Sequence, residues 1–200
     1  MALNERNAPK DPFILFTQWY AMSQTLGLSE PTAMTVVTVD TAGQPSARVV
    51  LLKEYDSRGF VFFTNYNSRK GSDICDNAKC ALLFYWGPVA RQIRIEGVIE
   101  KVDPAESDTY FATRPRNSQL GAWASPQSQP IENRRQLTDQ FEELRQKYEG
   151  RPIPRPPHWG GYRVVPTVME FWQGMPDRLH DRLQYDVLAS GEWSMKRLAP

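Results

Sequence analysis

The sequence predicts an α+β fold dominated by antiparallel β-structure, built as one domain over residues 1–200. Several short segments rich in β-branched and apolar residues follow one another closely, which is typical of strands. The links DTAGQP and DSRG carry the Gly, Asp and Pro of hairpin turns and are too short for the crossovers of a parallel sheet. No composition break, low-complexity tract or internal repeat marks a second domain. We therefore expect a meander or barrel of antiparallel strands with peripheral helices.

The predicted elements begin with a helix. Asp11 and Pro12 are typical of an N-cap and a first turn, and the amphipathic segment FILFTQWYAMSQTLG follows them. A short helix opens at the capping-box pattern DPAE (103–106), and a longer one is predicted over 132–148, ended by Gly150. The strand candidates are residues 33–39, 46–55, 60–65, 79–86, 91–102, 162–166, 167–174 and 177–186, with a short closing strand near 192–198.

Composition argues against several classes of function. The formal net charge of +1 gives no global attraction to nucleic acid or anionic lipid. The N-terminal residues lack the apolar core of a signal peptide, and the longest apolar runs are too short to span a bilayer, so we expect a cytoplasmic protein with no membrane contact. Cys75 and Cys80 are the only cysteines, and His158 and His180 the only histidines. Their spacing matches no zinc or redox motif, so we expect reduced thiols and no metal site.

Residues 48–53, RVVLLK, place two cations within a predicted strand. Strand alternation puts Arg48 on one face and Lys53 on the other, each with apolar neighbours. Buried charges need partners, so these residues either reach water at the strand ends or meet an anion.

The segment NSRKGSD (67–73) follows a predicted strand and has the pattern of a helix start. A serine cap with Arg69 and Lys70 in the first turn puts positive charge at the positive end of a helix dipole. This arrangement is unfavourable unless an anion binds, and phosphate is the natural candidate. A solvated basic turn would have the same sequence.

Two further segments bring hydrogen-bond donors together. Tyr110 and Arg114 are four residues apart and would share a helix face, with Ser118 one turn of chain further on; all three could donate to phosphate oxygens. If DRLHDR (177–182) is a strand, its two arginines and its histidine share one face. Three neighbouring cations repel, so either water screens them or an anion lies among them.

Common catalytic signatures are missing from the sequence. It has no G-x-G-x-x-G after a strand, no P-loop and no G-x-S-x-G elbow. Small barrels can bind single-stranded nucleic acid, but acids are as frequent as bases here and no aromatic–basic repeat stands out. Nucleic-acid binding is therefore a remote alternative.

Several blocks, taken together, resemble one family: the pyridoxamine (pyridoxine) 5′-phosphate oxidases. The blocks are RVVLLK, FTNYNSRKG, RQIRIEG, YFATRPRNSQLGAWAS, WGGYRV, EFWQG and RLHDR, in the family's order, and the resemblance runs from about Asp11 to Pro200. It implies an FMN-binding split β-barrel that works as a homodimer, with FMN at the subunit interface. It also implies that an anion is present at each of the cationic groups described above.

The resemblance implies particular cofactor residues. Those implied to contact FMN are Arg48, Val49, Val50, Leu51, Leu52, Lys53, Phe63, Thr64, Arg69, Lys70, Gln92, Gln127, Ser128, Trp172 and Arg182. Among them, Arg69 and Lys70 resemble the pair that grips the FMN phosphate. Gln127 and Ser128 resemble residues that the partner subunit supplies.

The resemblance also implies a substrate site. Lys53, Tyr110, Arg114 and Ser118 resemble the cradle for the 5′-phosphate of a vitamin B6 vitamer, and Arg178 and His180 resemble the catalytic residues over its pyridine ring. The implied reaction oxidises pyridoxamine or pyridoxine 5′-phosphate to pyridoxal 5′-phosphate. Dioxygen is the electron acceptor, hydrogen peroxide is formed, and the amine also releases ammonia.

Two alternatives and one departure accompany this interpretation. The same barrel could oxidise another substrate, such as a phenazine precursor, or could bind flavin or vitamer without turnover. Family members often carry a longer N-terminal arm over the active site, which here is missing or reduced to ALNERNAPK. We expect residues 1–10 to form only a short flexible arm.

Overall fold

The computed structural model describes residues 3–200, whose helices and strands are as follows. The helices are α1 (Pro12–Ser23), α2 (Arg69–Asp76), α3 (Pro104–Thr113), α4 (Arg116–Ala124) and α5 (Arg134–Lys147). The strands are β1 (Ala33–Val39), β2 (Pro45–Leu51), β3 (Glu54–Asp56), β4 (Gly59–Asn65), β5 (Lys79–Trp86), β6 (Arg91–Lys101), β7 (Trp159–Gln173), β8 (Asp181–Val187) and β9 (Trp193–Arg197). No helix in this described part is long and apolar enough to cross a membrane.

The strands form one curled antiparallel sheet, which confirms the predicted fold class. Its main order is β2-β1-β5-β6-β7-β4-β3, with β8 pairing to β7 and β9 to β8. The two ends of this order, β2 and β3, are separated along the chain only by Leu52 and Lys53. The backbone N–H of Lys53 donates to the carbonyl of Val61 on β4 at 2.9 Å, so the sheet curls back on itself at this point.

Strand β2 is shorter than predicted. We expected one strand over 46–55, but pairing stops at Leu51 and resumes at Glu54. Between them Leu52 turns into the core, where it is 3% exposed, and its N–H donates to the carbonyl of Thr32. The apolar sequence looks continuous, whereas the backbone changes hydrogen-bonding partner where the barrel curls.

Strand β7 is one long strand where the sequence predicted two, over 162–166 and 167–174. Its first part pairs with β4 and its last part with β8, while β6 pairs along the opposite edge. Pro166, which lacks an N–H, lies at a register shift opposite Gly97. A Cβ on Gly97 would lie 2.1 Å from the carbonyl oxygen of Val165, so this close approach requires glycine.

The prediction of a strand over 177–186 is wrong in its first half. β8 begins at Asp181, and Pro176–Arg178 form a 3₁₀ turn in which Asp177 and Arg178 have φ values of 57° and 61°. Strand alternation therefore does not place Arg178 and His180 on one face with Arg182. The proline and the left-handed residues end the extended backbone before that pattern can form.

The N-terminal segment, which the sequence predicted to be a short flexible arm, contacts the barrel through several of its described residues. Leu3 is buried, and Arg197 forms an ion pair with Glu5 at 2.7 Å. The Tyr185 hydroxyl donates to the carbonyl of Pro9 at 2.8 Å. These contacts connect the segment to β8 and β9; residues 1 and 2 of the expected arm lie outside the described residues.

Aromatic side chains fill the barrel under α1. Phe16 is fully buried, and its ring packs edge-on against Phe60 of β4 at 4.8 Å and Phe84 of β5 at 5.3 Å. Such contacts stabilise by about 0.5–1.5 kcal/mol each beyond the area they bury. The core thus fixes β4, and the other end of this strand contributes residues to the candidate site.

Candidate active site

A cavity of about 750 Å³ lies among β2, β4, the start of α2 and the junction of α3 with α4. Its size is in the usual range for small-molecule sites. Its wall carries five cations and no aspartate or glutamate: Arg48, Lys53, Arg69, Lys70 and Arg114. Positive charge that no acidic residue in the wall balances suits an anionic ligand.

Lys70 lies at the start of α2, where the predicted serine cap is confirmed. Ser68 has extended backbone, and its hydroxyl accepts a hydrogen bond from the N–H of Gly71 at 3.4 Å. Lys70 is buried, and its Nζ donates to Thr64 Oγ1 at 3.0 Å and to Gln127 Oε1 at 3.1 Å. Burial and the nearby charge of Arg48 lower the pKa of Lys70 to about 8.

Arg48 is held in the cavity wall by a buried polar chain. Its Nη1 donates to Thr38 Oγ1 at 2.7 Å, and the Thr38 hydroxyl donates to Asp73 Oδ2 at 2.6 Å. Ser46 accepts two further hydrogen bonds from the same guanidinium. Desolvation lowers the pKa of Arg48, with Asp73 opposing this effect. The guanidinium is therefore fixed before any ligand binds.

The predicted donors near the end of α3 meet in the cavity by a different route. α3 ends at Thr113, and Arg114 has extended backbone with ψ of 146°, so it does not share a helix face with Tyr110. Pro115 then redirects the chain into α4, which carries Ser118. All three predicted donors nevertheless line the cavity: Tyr110, Arg114 and Ser118.

Arg114 has an unsatisfied donor. Its Nη1 is buried and has no hydrogen-bond partner among residues 3–200, while the guanidinium stacks 4.5 Å from the Trp159 ring. Burial lowers the pKa of this arginine, with the nearby Tyr110 opposing the shift. An unpaired buried donor costs about 1–3 kcal/mol, and an arriving anion would recover this cost.

Three stacked aromatic rings form part of the cavity wall beside Arg114. Phe63 stacks on Tyr110 with ring centroids 4.0 Å apart, and on Trp159 at 5.5 Å. The Tyr110 and Trp159 rings are inclined by only 6°. This wall offers apolar surface next to the cationic donors, as expected for a ligand that has both a ring and a charged group.

Gln127 and Ser128 line the same cavity as Lys70 within one chain. The Gln127 side chain contacts Lys70 directly. The structure thus places both residues in the cavity of their own chain, whereas the resemblance implied that the partner subunit supplies them. The segment after α4 turns back over the start of α2, a path that local sequence does not reveal.

A second group of predicted residues lies on or next to β6, β7 and β8. Gln92 and Arg182 both stand opposite Trp172 in the register of β6, β7 and β8. The His180 ring lies 4.8 Å from that of Trp172, and its Nδ1 accepts the N–H of Met175 at 3.1 Å. None of these residues lines the 750 Å³ cavity, nor do Leu52 and Arg178.

Some site residues were not found from the sequence. Thr38 and Asp73 are 35 residues apart, and only the fold brings them together behind Arg48. Asn65 and Ser125 also line the cavity. Trp159 lies in the block WGGYRV, which was used for the resemblance, but no local pattern indicated its stacking role.

Comparison with known proteins identifies the family. Residues 24–148 match the model described as pyridoxamine 5′-phosphate oxidase. Residues 159–200 match the model described as the pyridoxine 5′-phosphate oxidase C-terminal dimerisation region. The chain belongs to the pyridoxamine 5′-phosphate oxidase family. It is therefore an oxidoreductase, and the second residue group, apart from Gln92, lies within the family's dimerisation region.

Individual relatives agree with this family. A pyridoxine/pyridoxamine 5′-phosphate oxidase of Bordetella petrii is 56% identical over 99% of this chain and 93% of its own length. The crystal structure of PhzG from Burkholderia lata 383, in complex with tetrahydrophenazine-1-carboxylic acid, has a TM-score of 0.92 at 32% identity and covers 100% of this chain and 98% of that one. A related FMN-binding protein from Nostoc punctiforme shares the fold, with a TM-score of 0.73 at 17% identity over 96% of this chain and 98% of its own.

Proposed function

We propose that this chain oxidises pyridoxamine 5′-phosphate and pyridoxine 5′-phosphate to pyridoxal 5′-phosphate. FMN is the cofactor, dioxygen is the electron acceptor, and hydrogen peroxide is released, together with ammonia from the amine. The observation that carries the proposal is the acid-free cavity with two sets of phosphate donors. One set lies on β2 and α2, and the other lies at the α3–α4 junction.

The donors on β2 and α2 fit the FMN phosphate. Arg69 and Lys70 lie in the first turn of the serine-capped α2, where the helix dipole also favours an anion. Within the described part of the chain, Lys70 has only neutral oxygens as hydrogen-bond partners, so an incoming phosphate would supply the missing charge. Arg48, already fixed by Thr38, can donate without losing further side-chain entropy.

The donors at the α3–α4 junction fit the vitamer phosphate. Arg114 provides the unpaired Nη1, and Tyr110 and Ser118 provide hydroxyl groups beside it. Lys53 lines the same cavity and adds a cation. Binding energy from this remote phosphate would hold the reacting carbon in position, while the stack containing Phe63 excludes water.

Bound FMN supplies a ring that can take a hydride from the 4′-carbon of the vitamer. This chain's own residues orient that transfer and stabilise developing negative charge. We propose that Gln92, Trp172, Arg178, His180 and Arg182 of a second subunit complete each cavity in a homodimer. The match of residues 159–200 to a dimerisation region supports this arrangement. Arg178 and His180 would then lie over the substrate ring, and Arg182 beside FMN.

A second candidate is oxidation of a phenazine precursor, which the 32% identity to PhzG favours. One anaerobic titration separates the two. The FMN-loaded protein is mixed with pyridoxine 5′-phosphate or with a reduced phenazine carboxylic acid, and the flavin absorbance is followed before and after air is admitted. We expect rapid bleaching with the vitamer phosphate only, then recovery with peroxide and pyridoxal 5′-phosphate formed. Bleaching only with the phenazine compound would support the second candidate, and a flavin that stays yellow with both would indicate a binding protein.

A further inference from the structure

A buried carboxylate lies next to Arg182 on the surface formed by β6, β7 and β8. Glu170 is only 5% exposed, and it stands directly opposite Arg94 of β6. Arg182 of β8 is its diagonal neighbour, because Arg182 pairs with Trp172, two residues further along β7. Cross-strand and diagonal neighbours on one face are close enough for long side chains to interact.

Glu170 binds both arginines, one with each carboxylate oxygen. Its Oε1 accepts from Arg182 Nε at 2.8 Å, and its Oε2 accepts from Arg94 Nη1 at 3.0 Å. The hydrogen bond to Glu170 is the main cause of the raised pKa of Arg182. The Glu170 side chain is only 6% exposed, so the two arginines offset the cost of burying its charge, and the carboxylate constrains both guanidinium groups.

The contacts of Arg182 leave one nitrogen without a partner. Nε donates to Glu170, and Nη1 donates to the carbonyl of Ala199 at 2.9 Å. Nη2 has no hydrogen-bond partner among residues 3–200. A guanidinium group is planar and rigid, so fixing two of its nitrogens also fixes the third. The direction in which Nη2 donates is therefore determined before a ligand arrives.

We propose that Glu170 is a positioning residue for cofactor binding, which holds Arg182 so that Nη2 is directed at FMN. The inference rests on the proposed function, in which Arg182 contacts FMN in the dimer. Glu170 does not touch the ligand itself. Its carboxylate orients the arginine, and Arg94 holds that carboxylate from the other side.

Removing the charge of Glu170 tests this role, and Glu96 provides a matched control. Glu96 lies two residues from Arg94 on β6 and forms an ion pair with it at 2.9 Å, but none with Arg182. We expect Glu170→Gln to weaken FMN binding about tenfold, which is ~1.4 kcal/mol, and Glu96→Gln to leave it unchanged. The measurement is the quenching of flavin fluorescence on titration with apoprotein, together with the thermal midpoint of each apoprotein. Equal FMN affinity in wild type and Glu170→Gln would overturn the proposal.

A double-variant cycle separates positioning from a purely structural contribution. If Glu170 acts through Arg182, Glu170→Gln should have no further effect on FMN affinity once Arg182→Ala is present. Additive losses, or a lowered thermal midpoint with normal FMN affinity, would show that Glu170 only stabilises the sheet. The visible spectrum of bound FMN should shift in the same way in both single variants.

The remaining outcomes are also decisive. If Glu170→Gln does not fold, Glu170→Asp keeps the charge but shortens the reach between the two arginines, and it should weaken FMN binding in the same direction. Normal FMN affinity in Glu170→Asp would then overturn the proposal. If Arg182→Ala binds FMN normally, both the positioning role and the proposed contact of Arg182 are wrong. If wild type binds no FMN, the proposed function fails with them.

Discussion

The ammonium group of Lys70 lies 3.1 Å from the amide oxygen of Gln127, although 57 residues separate them in sequence. Its other hydrogen-bond partners, Thr64 and Ser68, are also neutral oxygens. A buried cation without a counterion is costly, and that cost lowers the pKa of Lys70 to about 8. The charge of Lys70 therefore changes near pH 8, and a bound anion would provide the missing counterion.

The affinity for FMN should fall as pH rises through about 8, because Lys70 loses its charge there. The phosphate of FMN is already largely dianionic at this pH, so its own titration does not produce the change. Lys70→Met should bind FMN more weakly and show a flatter dependence between pH 7 and 9. Calorimetry in two buffers of different ionisation enthalpy should detect proton uptake on binding above pH 8 for wild type only. Parallel pH profiles for the two proteins would contradict this.

In the FMN-free protein, the contribution of Lys70 to stability should rise with pH, whereas the affinity for FMN falls. The folded pKa of Lys70, about 8, lies below its ordinary value of 10.5. Between these values the unfolded chain binds more protons than the folded one, so the contribution of Lys70 to the free energy of unfolding rises with pH. Urea denaturation at pH 8 and pH 10 should show a smaller advantage of Lys70→Met over wild type at the higher pH. An advantage that does not change with pH would contradict the assignment.

Arg114→Met should raise KM for pyridoxine 5′-phosphate by about 10- to 100-fold, the range expected for losing charged hydrogen bonds of ~1.5–3 kcal/mol. FMN affinity should stay normal, since the FMN phosphate is assigned to α2. The apoprotein should not lose thermal stability, because the variant removes a buried unpaired Nη1. Arg114→Lys is the control: it keeps the charge without the planar fork, and should recover only part of the affinity. An unchanged KM in Arg114→Met would mean that this is not the phosphate cradle.

Mixing two impaired variants should restore activity if each site combines two chains. Lys70→Met changes a residue that lines the cavity. Arg182→Ala changes a residue of the second group, which does not line the cavity of its own chain. Random exchange of subunits then gives heterodimers with one intact site, about a quarter of all sites. The measurement is oxidase activity after the two proteins are unfolded and refolded together. Activity no higher than the mean of the two separately refolded variants would indicate that each site lies within one chain.

His180 should carry its proton on Nε2 when neutral. Its Nδ1 accepts the N–H of Met175, and a ring nitrogen that accepts a hydrogen bond cannot also hold the proton. His158 is the only other histidine, so His158→Gln leaves a single imidazole to observe by long-range ¹H–¹⁵N correlation. We expect the Nε2–H tautomer, which would make neutral His180 a donor at Nε2 and not a base there. A signal from the Nδ1–H form would contradict the contact with Met175.

Local sequence predicted the regular elements well where neighbouring residues decide the structure. β1 and β5 have the bounds that were predicted, and Ser68 caps α2 as expected. The capping box at 103–106 is only half formed. Asp103 accepts the N–H of Ala105, but Glu106 pairs with the buried Arg163 of β7 instead of returning to the helix start. The buried Arg163 therefore binds the carboxylate that a complete capping box would have used.

The sequence by itself determined the antiparallel class, the anion-binding character and, through blocks spread over the whole chain, the family. The antiparallel class and the anion-binding character follow from alternation, capping and charge, which operate over a few residues. Only the tertiary structure decided that Gln127 joins Lys70 within one chain, that Arg114 reaches the cavity from a bend, and that Glu170 holds Arg182. The physical reason is that burial and hydrogen-bond satisfaction depend on which segments the curled sheet brings together. Patterns within a short stretch of sequence do not show which distant residues come into contact.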